Sequence, residues 1–510
     1  MPPLRRAALA LGFLALVAAA YAFIVSSSHF GGYDSYYFLL YANDLAQSAS
    51  ETSFARYCYF PGSYAFWRPV AMAVGRNFAS YQHVFAAAGL ANAALTALIV
   101  RAAGGGALVA AGTFCGYLLF GQRLEFHEMT TEPLATLASL LGILAWLVLQ
   151  RRGKAWTGFL CLGAGYGLAV FMKQQGAFIA VGAVGLAPFL WGRSRSWRQG
   201  LGDAATVVTA ALAVFTLAMA LDGGGLAAVK MGVSTAVDYE SQGHLVAHLI
   251  VLASKTPAPC AALAVAVVLW PVAFIPSRRR PGNDRTALLQ VWGLGAVTAV
   301  VTLLQFTKRG YTHYALLTLP FALMAIVPAG LWVWDESKTR LDRAGEAKPP
   351  SRAAARLCFA ALVLLVAVLG IDAWAWRRAP RFAGPLRHEV FASACEGIQA
   401  GQRLLLLPSR ENALHWACGT HARGTRWGYT FNSQERPDEY IAELAKPELT
   451  QVFVFNATHP GSYERAVAAR HDWSGFFAAL ATQGFQTVAQ GPAGTLYRRD
   501  PDTTRVIMPR

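Results

Sequence analysis

The chain has 510 residues, of which 55% are hydrophobic and only 14% are charged. The apolar residues form repeated long blocks, so the composition indicates a polytopic membrane protein and argues against a soluble globular one. The formal net charge is +16, but the Lys and Arg residues are concentrated in short loops between the apolar blocks. Cytoplasmic loops of membrane proteins are rich in such residues, so the charge does not require a nucleic-acid partner.

The first apolar block covers residues 7–25 and contains no charged residue. It is long enough to cross a bilayer, because a spanning helix needs about 20 apolar residues. Arg5 and Arg6 precede it and predict a cytoplasmic amino terminus. A cleavable signal peptide is the alternative interpretation, but many further spans follow and we expect a retained helix. Asp34 then emerges on the far side of the membrane, in a long polar and aromatic loop over residues 26–82.

Ten further apolar blocks follow, which gives about eleven predicted transmembrane helices in all. We place these ten near 83–101, 104–120, 133–150, 155–172, 175–191, 201–221, 247–276, 287–306, 313–333 and 356–375. A short interfacial helix could precede Pro257 within one of them. Alternation across the membrane collects most of the basic clusters on one side, and this predicts that side to be the cytoplasm.

The segment after the last of these spans has a different character. Residues 403–407 and 451–455 are apolar enough for short buried strands, and residues 437–445 and 463–484 are expected to be helices. We therefore predict a transmembrane domain over residues 1–376 and a small α/β domain over residues 377–510. The odd number of helices puts the second domain outside the cytoplasm, where Cys58, Cys395 and Cys418 would also lie. Residues 335–356 are charged and contain prolines, which predicts a flexible cytoplasmic linker.

The same alternation brings acids, cations and histidines to the outer membrane surface. Carboxylates that accept a proton and cations that hold a phosphate are the groups needed for transfer from a phosphate leaving group. The candidates are Asp34, Arg68, His127, Glu132, Lys173, Lys308, Arg309 and His313.

Several stretches resemble the GT-C superfamily of multi-spanning glycosyltransferases, which includes the protein O-mannosyltransferases and the lipid A aminoarabinose transferase. Residues 34–46 are similar to the first outer loop of that family, an acid followed by aromatics, and residues 60–69 are similar to its proline-flanked end. Residues 131–134 resemble the acid-proline start of a span. Residues 167–176 and 309–320 resemble later signatures, and the matches together extend over most of residues 1–335.

The resemblance implies an all-α polytopic membrane fold with an extracytoplasmic C-terminal domain, and an enzyme that uses a polyprenyl-phosphate sugar. Asp34 would be the general base, and Glu132 would be a second catalytic carboxylate. The donor phosphate would meet Arg68, Lys173, Lys308 and Arg309. The substrate would meet Tyr36, Tyr37, His127 and His313.

Each of these residues also has a simpler interpretation. Asp34 could merely meet water at a helix end, and Tyr36 and Tyr37 could belong to an interfacial aromatic belt. Arg68 and Lys173 could be snorkelling cations. Lys308 and Arg309 could attract lipid headgroups, the two histidines could be interfacial hydrogen-bonding groups, and Glu132 could simply start a helix.

The sequence favours a glycosyltransferase of a bacterial inner membrane, with a lipid, glycan or protein acceptor and membrane lipids as partners. No cofactor is required because a lipid phosphate leaves readily, although Glu132 or His127 could bind a divalent metal ion. A transporter or flippase is the main competing function, but transporters tend to show two related halves and we find none. A non-enzymatic scaffold in envelope assembly is a third possibility, and a ligase or polymerase of lipid-linked glycans is the closest in chemistry.

Overall fold

The computed structural model describes residues 62–124, 131–190, 197–221, 229–230, 244–274, 283–307, 312–344, 391–407, 412–420, 437–456 and 472–500, together with residues 12, 15, 17–19, 21 and 40. Most of the described chain is helical. The helices of the first part are α1 (Gly62–Val74), α2 (Phe78–Ala102), α3 (Ala107–Arg123), α4 (Glu132–Arg151), α5 (Ala155–Met172), α6 (Gly176–Leu190), α7 (Trp197–Leu221), α8 (Leu245–Lys255), α9 (Pro257–Phe274), α10 (Asn283–Thr302) and α11 (Ala315–Ala344).

Within these described ranges, six helices are long and apolar enough to cross a membrane: α2, α4, α5, α7, α10 and α11. The bent pair α8 and α9 could form a seventh span, and α3 and α6 are shorter apolar helices. The chain is therefore an integral membrane protein. Each of these helices falls on a predicted span. The total of eleven stays a prediction, because the span at 356–375 lies outside the described residues and most of the span at 7–25 does too.

The break between α8 and α9 has a local cause. Pro257 has no N–H to continue the hydrogen bonding of α8, and α8 closes instead at Thr256, whose N–H donates to the carbonyl of Leu252 over 2.9 Å. The two helix axes differ by 115°. A separate short helix does precede Pro257, and its position at the membrane interface stays a prediction.

Two helices differ from the sequence-based expectation. Helix α1 was not predicted, because Pro69 and the surrounding aromatics suggested the end of a loop. Helix α11 continues to Ala344, ten residues into the stretch expected to be a flexible linker. Its added residues include Leu341, Arg343 and Ala344, which are good helix formers.

Close backbone contact, not large side chains, joins α5 to α7. A Cβ atom on Gly163 would lie 2.3 Å from the carbonyl oxygen of Val207, and one on Gly167 would lie 2.4 Å from that of Ala211. Only glycine fits at such distances. The spacing of the two glycines is the small-xxx-small pattern by which membrane helices approach each other without a hydrophobic driving force.

The C-terminal described residues form a four-stranded sheet with the order β1-β2-β4-β3. Strand β1 is parallel to β2, and the other two pairings are antiparallel. The elements are β1 (Leu404–Leu407), α12 (Asn412–Cys418), α13 (Pro437–Leu444), β2 (Gln451–Phe455), α14 (Ser474–Thr482), β3 (Phe485–Gln490) and β4 (Gly494–Arg499). Strands β1 and β2 and helix α13 match their predicted positions. Helix α14 is shorter than predicted in the part that the structure describes, and α12, β3 and β4 were not predicted.

Both faces of β1 and β2 are covered, which explains why the two strands are apolar except for Gln451. Leu404, Leu406 and Phe453 face one core cluster, which also contains Trp67 and Tyr81 from the helical part. We call this the docking cluster. The alternate residues of both strands face a second cluster under α13 and α14, built around Tyr440, Trp473 and Phe476. The sheet therefore packs against the helix bundle with one face and carries its own small core on the other.

Candidate active site

Glu132 is the first residue of α4, and its side chain is fully buried. Pro133 follows in the first turn, where a missing N–H costs no hydrogen bond. Asn92, in the middle of α2, donates its Nδ2–H to the carbonyl of Pro133 over 2.8 Å and fixes this helix start. At 1.5 Å per residue, the part of α2 before Asn92 extends about 20 Å beyond this level. Glu132 therefore lies near the middle of α2 along the helix axis, and not at its Phe78 end.

Lys173 directly follows α5 and is also buried, with 4% of its surface exposed. Its backbone is extended, and its N–H donates to the carbonyl of Ala169 over 3.0 Å. The chain then turns sharply, since the N–H of Gly176 donates to the Lys173 carbonyl over 2.8 Å. A Cβ on Gly176 would lie 2.4 Å from the Ala169 carbonyl oxygen, so this turn requires glycine.

The two charged groups form a buried ion pair, in which Lys173 Nζ donates to Glu132 Oε1. Helices α4 and α5 are consecutive and antiparallel, so the start of the first and the end of the second lie at the same level. The Lys173 ammonium also lies 5.2 Å from the ring centroid of Tyr314, a cation–π distance. Tyr314 belongs to a 3-10 turn just before α11.

His313 completes this group from the same 3-10 turn. Its side chain is buried, and its ring packs edge-on against Tyr314 at 4.9 Å, the same ring that the Lys173 ammonium contacts. Gln305 donates its Nε2–H to the Tyr314 carbonyl over 2.7 Å and holds the turn in place. Glu132, Lys173 and His313, here called the charged trio, thus come from three separate parts of the chain.

The charged trio has unused hydrogen-bonding capacity. Glu132 Oε2 is buried and has no hydrogen-bond partner among the described residues. An ionised carboxylate in such a place is costly unless it is paired, and a buried acid with one free oxygen is suited to accept a hydrogen bond from a ligand. This atom marks the charged trio as a candidate ligand site.

Arg68 lies on α1, and its side chain is exposed on the surface. The preceding Trp67 is buried in the docking cluster, so the two neighbours point in different directions around the helix. Helix α1 begins next to α5, because a Cβ on Gly62 would lie 2.6 Å from the Phe171 carbonyl oxygen. The first residue of α1 thus contacts Phe171, which lies two residues before Lys173 in the sequence. Arg68 is carried by this helix but is not itself part of the charged trio.

The remaining sequence-predicted site residues lie outside the described residues. They are Asp34, Tyr36, Tyr37, His127, Lys308 and Arg309. The described residue that lies nearest in sequence to Asp34 is Leu40, which is 1% exposed and packs in the docking cluster. Part of the first predicted loop therefore contacts the same core as Trp67 and the sheet.

The sequence singled out Glu132, Lys173 and His313 one at a time but did not predict the ion pair. The first two are 41 residues apart, and no local spacing rule connects them. One signal was available: a lone acid opens an apolar span, and a lone cation closes the next one. Tyr314, Gln305 and Asn92 were missed because an aromatic or amide residue in an apolar helix is usually a packing residue.

Among the described residues, no group of three or more His, Cys, Asp or Glu side chains is arranged to hold a metal ion. The free oxygen of Glu132 would supply one ligand. A metal ion would need its other ligands from elsewhere, for example from His127.

No protein-family model matches the chain, and no curated relative was found for it. Solved structures do match over nearly its whole length. ArnT from Cupriavidus metallidurans in the apo state superposes with a TM-score of 0.57 at 14% identity, covering 98% of this chain and 99% of ArnT. The chain shares the fold of ArnT.

Two further structures with this fold hold a lipid carrier. ArnT bound to undecaprenyl phosphate matches with a TM-score of 0.57 at 14% identity, over 97% of this chain and 99% of that one. The oligosaccharyltransferase AglB from Archaeoglobus fulgidus, in complex with an inhibitory peptide and a dolichol-phosphate, matches with a TM-score of 0.53 at 12% identity, over 97% of this chain and 74% of that one. At these identities the likeness establishes the fold alone, and this is the fold that the sequence resemblance predicted.

Proposed function

We propose that the chain is an integral-membrane glycosyltransferase that transfers a sugar from a polyprenyl-phosphate carrier to a lipid, glycan or protein acceptor. The observation that carries this proposal is the buried charged trio within a GT-C fold. Ionisable groups inside a membrane domain are expensive, and they usually mark a substrate pathway or a reactive site. The polyprenyl phosphates bound in two structures of the same fold support the class of donor.

In the proposed reaction, Asp34 accepts the proton of an acceptor hydroxyl while that oxygen attacks the anomeric carbon of the sugar. A new glycosidic bond forms, and the bond from the anomeric carbon to the phosphate oxygen breaks. The phosphate leaves with the bonding electron pair as polyprenyl phosphate. Arg68, Lys308 and Arg309 would stabilise this charge, since a guanidinium can hold a phosphate through two parallel hydrogen bonds.

The ion pair changes the role that we propose for Lys173. Its ammonium already donates to Glu132, so we assign it first to holding that acid as a carboxylate and only second to contact with the phosphate. Glu132 would then use its free Oε2 to accept a hydrogen bond from a donor hydroxyl. His313 would lie beside the same substrate, because its ring packs against Tyr314, which Lys173 also contacts.

We further propose that the reaction takes place on the outer side of a bacterial inner membrane, with the amino terminus in the cytoplasm. The disulfide between Cys395 and Cys418 supports this placement of the C-terminal sheet, because disulfides persist mainly outside the reducing cytosol. The sheet also packs on the Phe78 end of α2, which the predicted topology puts on the outer side.

The first test replaces Asp34 by Asn, which keeps the size of the side chain but cannot accept the proton. Mass analysis of lipid-linked sugars from cells with and without the chain identifies the donor, which is then used with the purified protein in proteoliposomes. Loss of a general base should lower turnover by about 10²–10⁴-fold. Donor binding should survive, because the phosphate contacts are unchanged.

Asp44→Asn is the matched control, since it removes a carboxylate ten residues further along the same predicted loop. It should leave transfer nearly normal. If Asp34→Asn retains normal transfer and Asp44→Asn abolishes it, the assignment of the base is wrong. If the two cell types contain the same lipid-linked sugars and the same envelope glycans, the chain does not transfer sugars, and a transport function gains support.

A further inference from the structure

The C-terminal sheet is attached to the helix bundle through α12 and the start of α2. Arg76 precedes α2 and donates Nη1–H to the carbonyl of His415 over 3.1 Å and Nη2–H to that of Thr420 over 2.7 Å. Both carbonyls lie at the C-terminal end of α12, where a cation is favoured by the helix dipole. This contact crosses more than 330 residues of sequence.

A line of aromatic rings extends from α12 to α1. Trp416 of α12 is 6% exposed, and its ring lies 6.1 Å from Phe78 and 6.0 Å from Tyr81. Tyr81 in turn lies 5.9 Å from Trp67 of α1. The hydroxyl of Tyr81 donates to the Gly75 carbonyl over 2.9 Å, which also ties it to the turn between the two helices.

The sheet side of this line is firmly anchored. Cys418, two residues after Trp416, is bonded to Cys395, and Cys395 follows the buried Phe391 in a 3-10 turn. The helix that presents Trp416 is thus fixed by a covalent bond at one end and by Arg76.

The α1 side depends on its neighbours. Helix α1 has 13 residues and contains Pro69, which removes one internal hydrogen bond, and a helix of this length is marginal on its own. Its rotation is therefore set by where Trp67 is buried. Successive residues lie about 100° apart around a helix, so an inward Trp67 directs Arg68 to the exposed face where it is found.

We propose that Trp416 is a positioning residue for the donor-phosphate site, acting through Tyr81 and Trp67 to set the direction of Arg68. The inference rests on the proposed function, because it takes Arg68 as a ligand of the donor phosphate. The C-terminal region would then help to position the donor site without contacting the donor. Leu40 strengthens the argument, since this one described residue of the loop that carries Asp34 packs into the same docking cluster.

The test measures binding of undecaprenyl phosphate to the full-length purified protein, without any transfer step. Trp416→Ala should raise the Kd about tenfold, the effect of losing one charged hydrogen bond of about 1.4 kcal/mol. Trp416→Phe keeps an aromatic ring and should restore most of the affinity. In transfer assays the KM for the donor should rise while kcat changes by less than about twofold, because only binding is affected.

A double-mutant cycle separates this role from simple destabilisation. If Trp416 acts through Arg68, Trp416→Ala should cause no further loss of affinity in an Arg68→Ala background. Trp473→Ala is the matched control, since Trp473 is 3% exposed and packs against the other face of the same sheet, in the second cluster. It should lower thermal stability and leave the Kd unchanged. Trp416→Leu serves in place of Trp416→Ala if the alanine variant does not fold.

Losses that add up in the double variant, or an equal loss from Trp473→Ala, would overturn the inference while leaving the proposed function intact. A wild-type protein that does not bind undecaprenyl phosphate would contradict the proposed function, and the inference with it. An Arg68→Ala variant that binds as tightly as wild type would place the phosphate elsewhere and remove the role of Trp416.

Discussion

Lys173 in the helix bundle and Arg499 at the end of the C-terminal sheet are both buried cations, but their partners differ. Lys173 pairs with the carboxylate of Glu132. Arg499 donates to the backbone carbonyls of Leu444 and Lys446 at the end of α13, and its guanidinium lies 4.6 Å from the ring centroid of Phe485. The first cation neutralises a charge, whereas the second caps a helix.

This difference separates a site from a scaffold. Every helix end offers carbonyls of the kind that Arg499 binds, so that contact needs no special residue beyond the arginine. The Lys173 contact requires a second ionisable residue in a membrane domain, where it brings a desolvation cost. A pair of hydrophobic residues could fill the same space, and this is why we assign the charged trio to function and Arg499 to stability.

The largest effect is expected when the Glu132–Lys173 pair is broken from one side. Lys173→Met leaves a buried carboxylate without its cation, and removing one partner of a buried pair typically costs about 3–5 kcal/mol. Thermal unfolding of the detergent-purified protein should show this as a large drop in Tm. The double variant Glu132→Gln with Lys173→Met should recover much of the loss, because neither member of the ion pair remains as an unpaired buried charge.

Lys446→Met is the control for this cycle. Lys446 also pairs with an acid, Glu443, at 2.6 Å, but its side chain is 40% exposed. Exposed pairs contribute less than about 1 kcal/mol, so the variant should unfold close to the wild-type temperature. If the Lys173 and Lys446 variants lose equal stability, or if the double variant is no more stable than Lys173→Met, burial does not distinguish the two regions.

A smaller effect is expected for Arg499→Met. The variant leaves no buried charge unpaired and keeps part of the packing on Phe485, so the loss should stay near the roughly 1–3 kcal/mol typical of a buried polar group that loses its partner. Limited proteolysis should detect loosening around α13 and β4. Binding of undecaprenyl phosphate should be unchanged, since Arg499 lies in the part of the sheet that packs on α13. A weaker affinity would mean that this cation also acts on the site.

The spans were predictable from the sequence because their signal is local. An apolar run of the right length identifies α4 or α5 wherever it packs, and Pro257 identifies the break before α9. The strands β3 and β4 carry no comparable signal. Strand β3 is a largely exposed edge strand, and β4 contains Arg498 and Arg499. Strand β4 therefore depends on its pairing with β2, and β3 on its pairing with β4, and not on their own composition.

The residues of the site were predictable, but their arrangement was not. A lone charge in an apolar sequence is visible, and this singled out Glu132 and Lys173. Their contact depends on the register between α4 and α5, which is set by side-chain packing along the whole helix pair. The link from Trp416 to Trp67 was invisible for the same reason, since it joins residues that are almost 350 positions apart.

The smallest expected effect concerns the surface acids of the sheet region under acid conditions. The pKa of Glu448 is lowered by a hydrogen bond from its own backbone N–H and by the guanidinium of Arg403, 2.6 Å away. A lowered pKa contributes stability that is present above the ordinary carboxyl pKa and is lost as the pH falls through the folded value. Glu448→Gln should therefore lower the free energy of unfolding at neutral pH by less than about 1 kcal/mol, seen as a slightly lower Tm. This deficit should vanish in acid.

Glu443 should behave in the opposite way and so provides the control. Burial raises its pKa, and the hydrogen bond from Lys446 only partly opposes this shift. A raised carboxyl pKa means that ionisation disfavours the folded state as the pH rises through the ordinary value. Glu443→Gln should thus gain stability relative to wild type at neutral pH, and the gain should disappear in acid. If the two variants respond to pH with the same sign, burial does not set the direction of the pKa shifts of these acids. The comparison would then no longer support the argument that burial makes the charged trio costly.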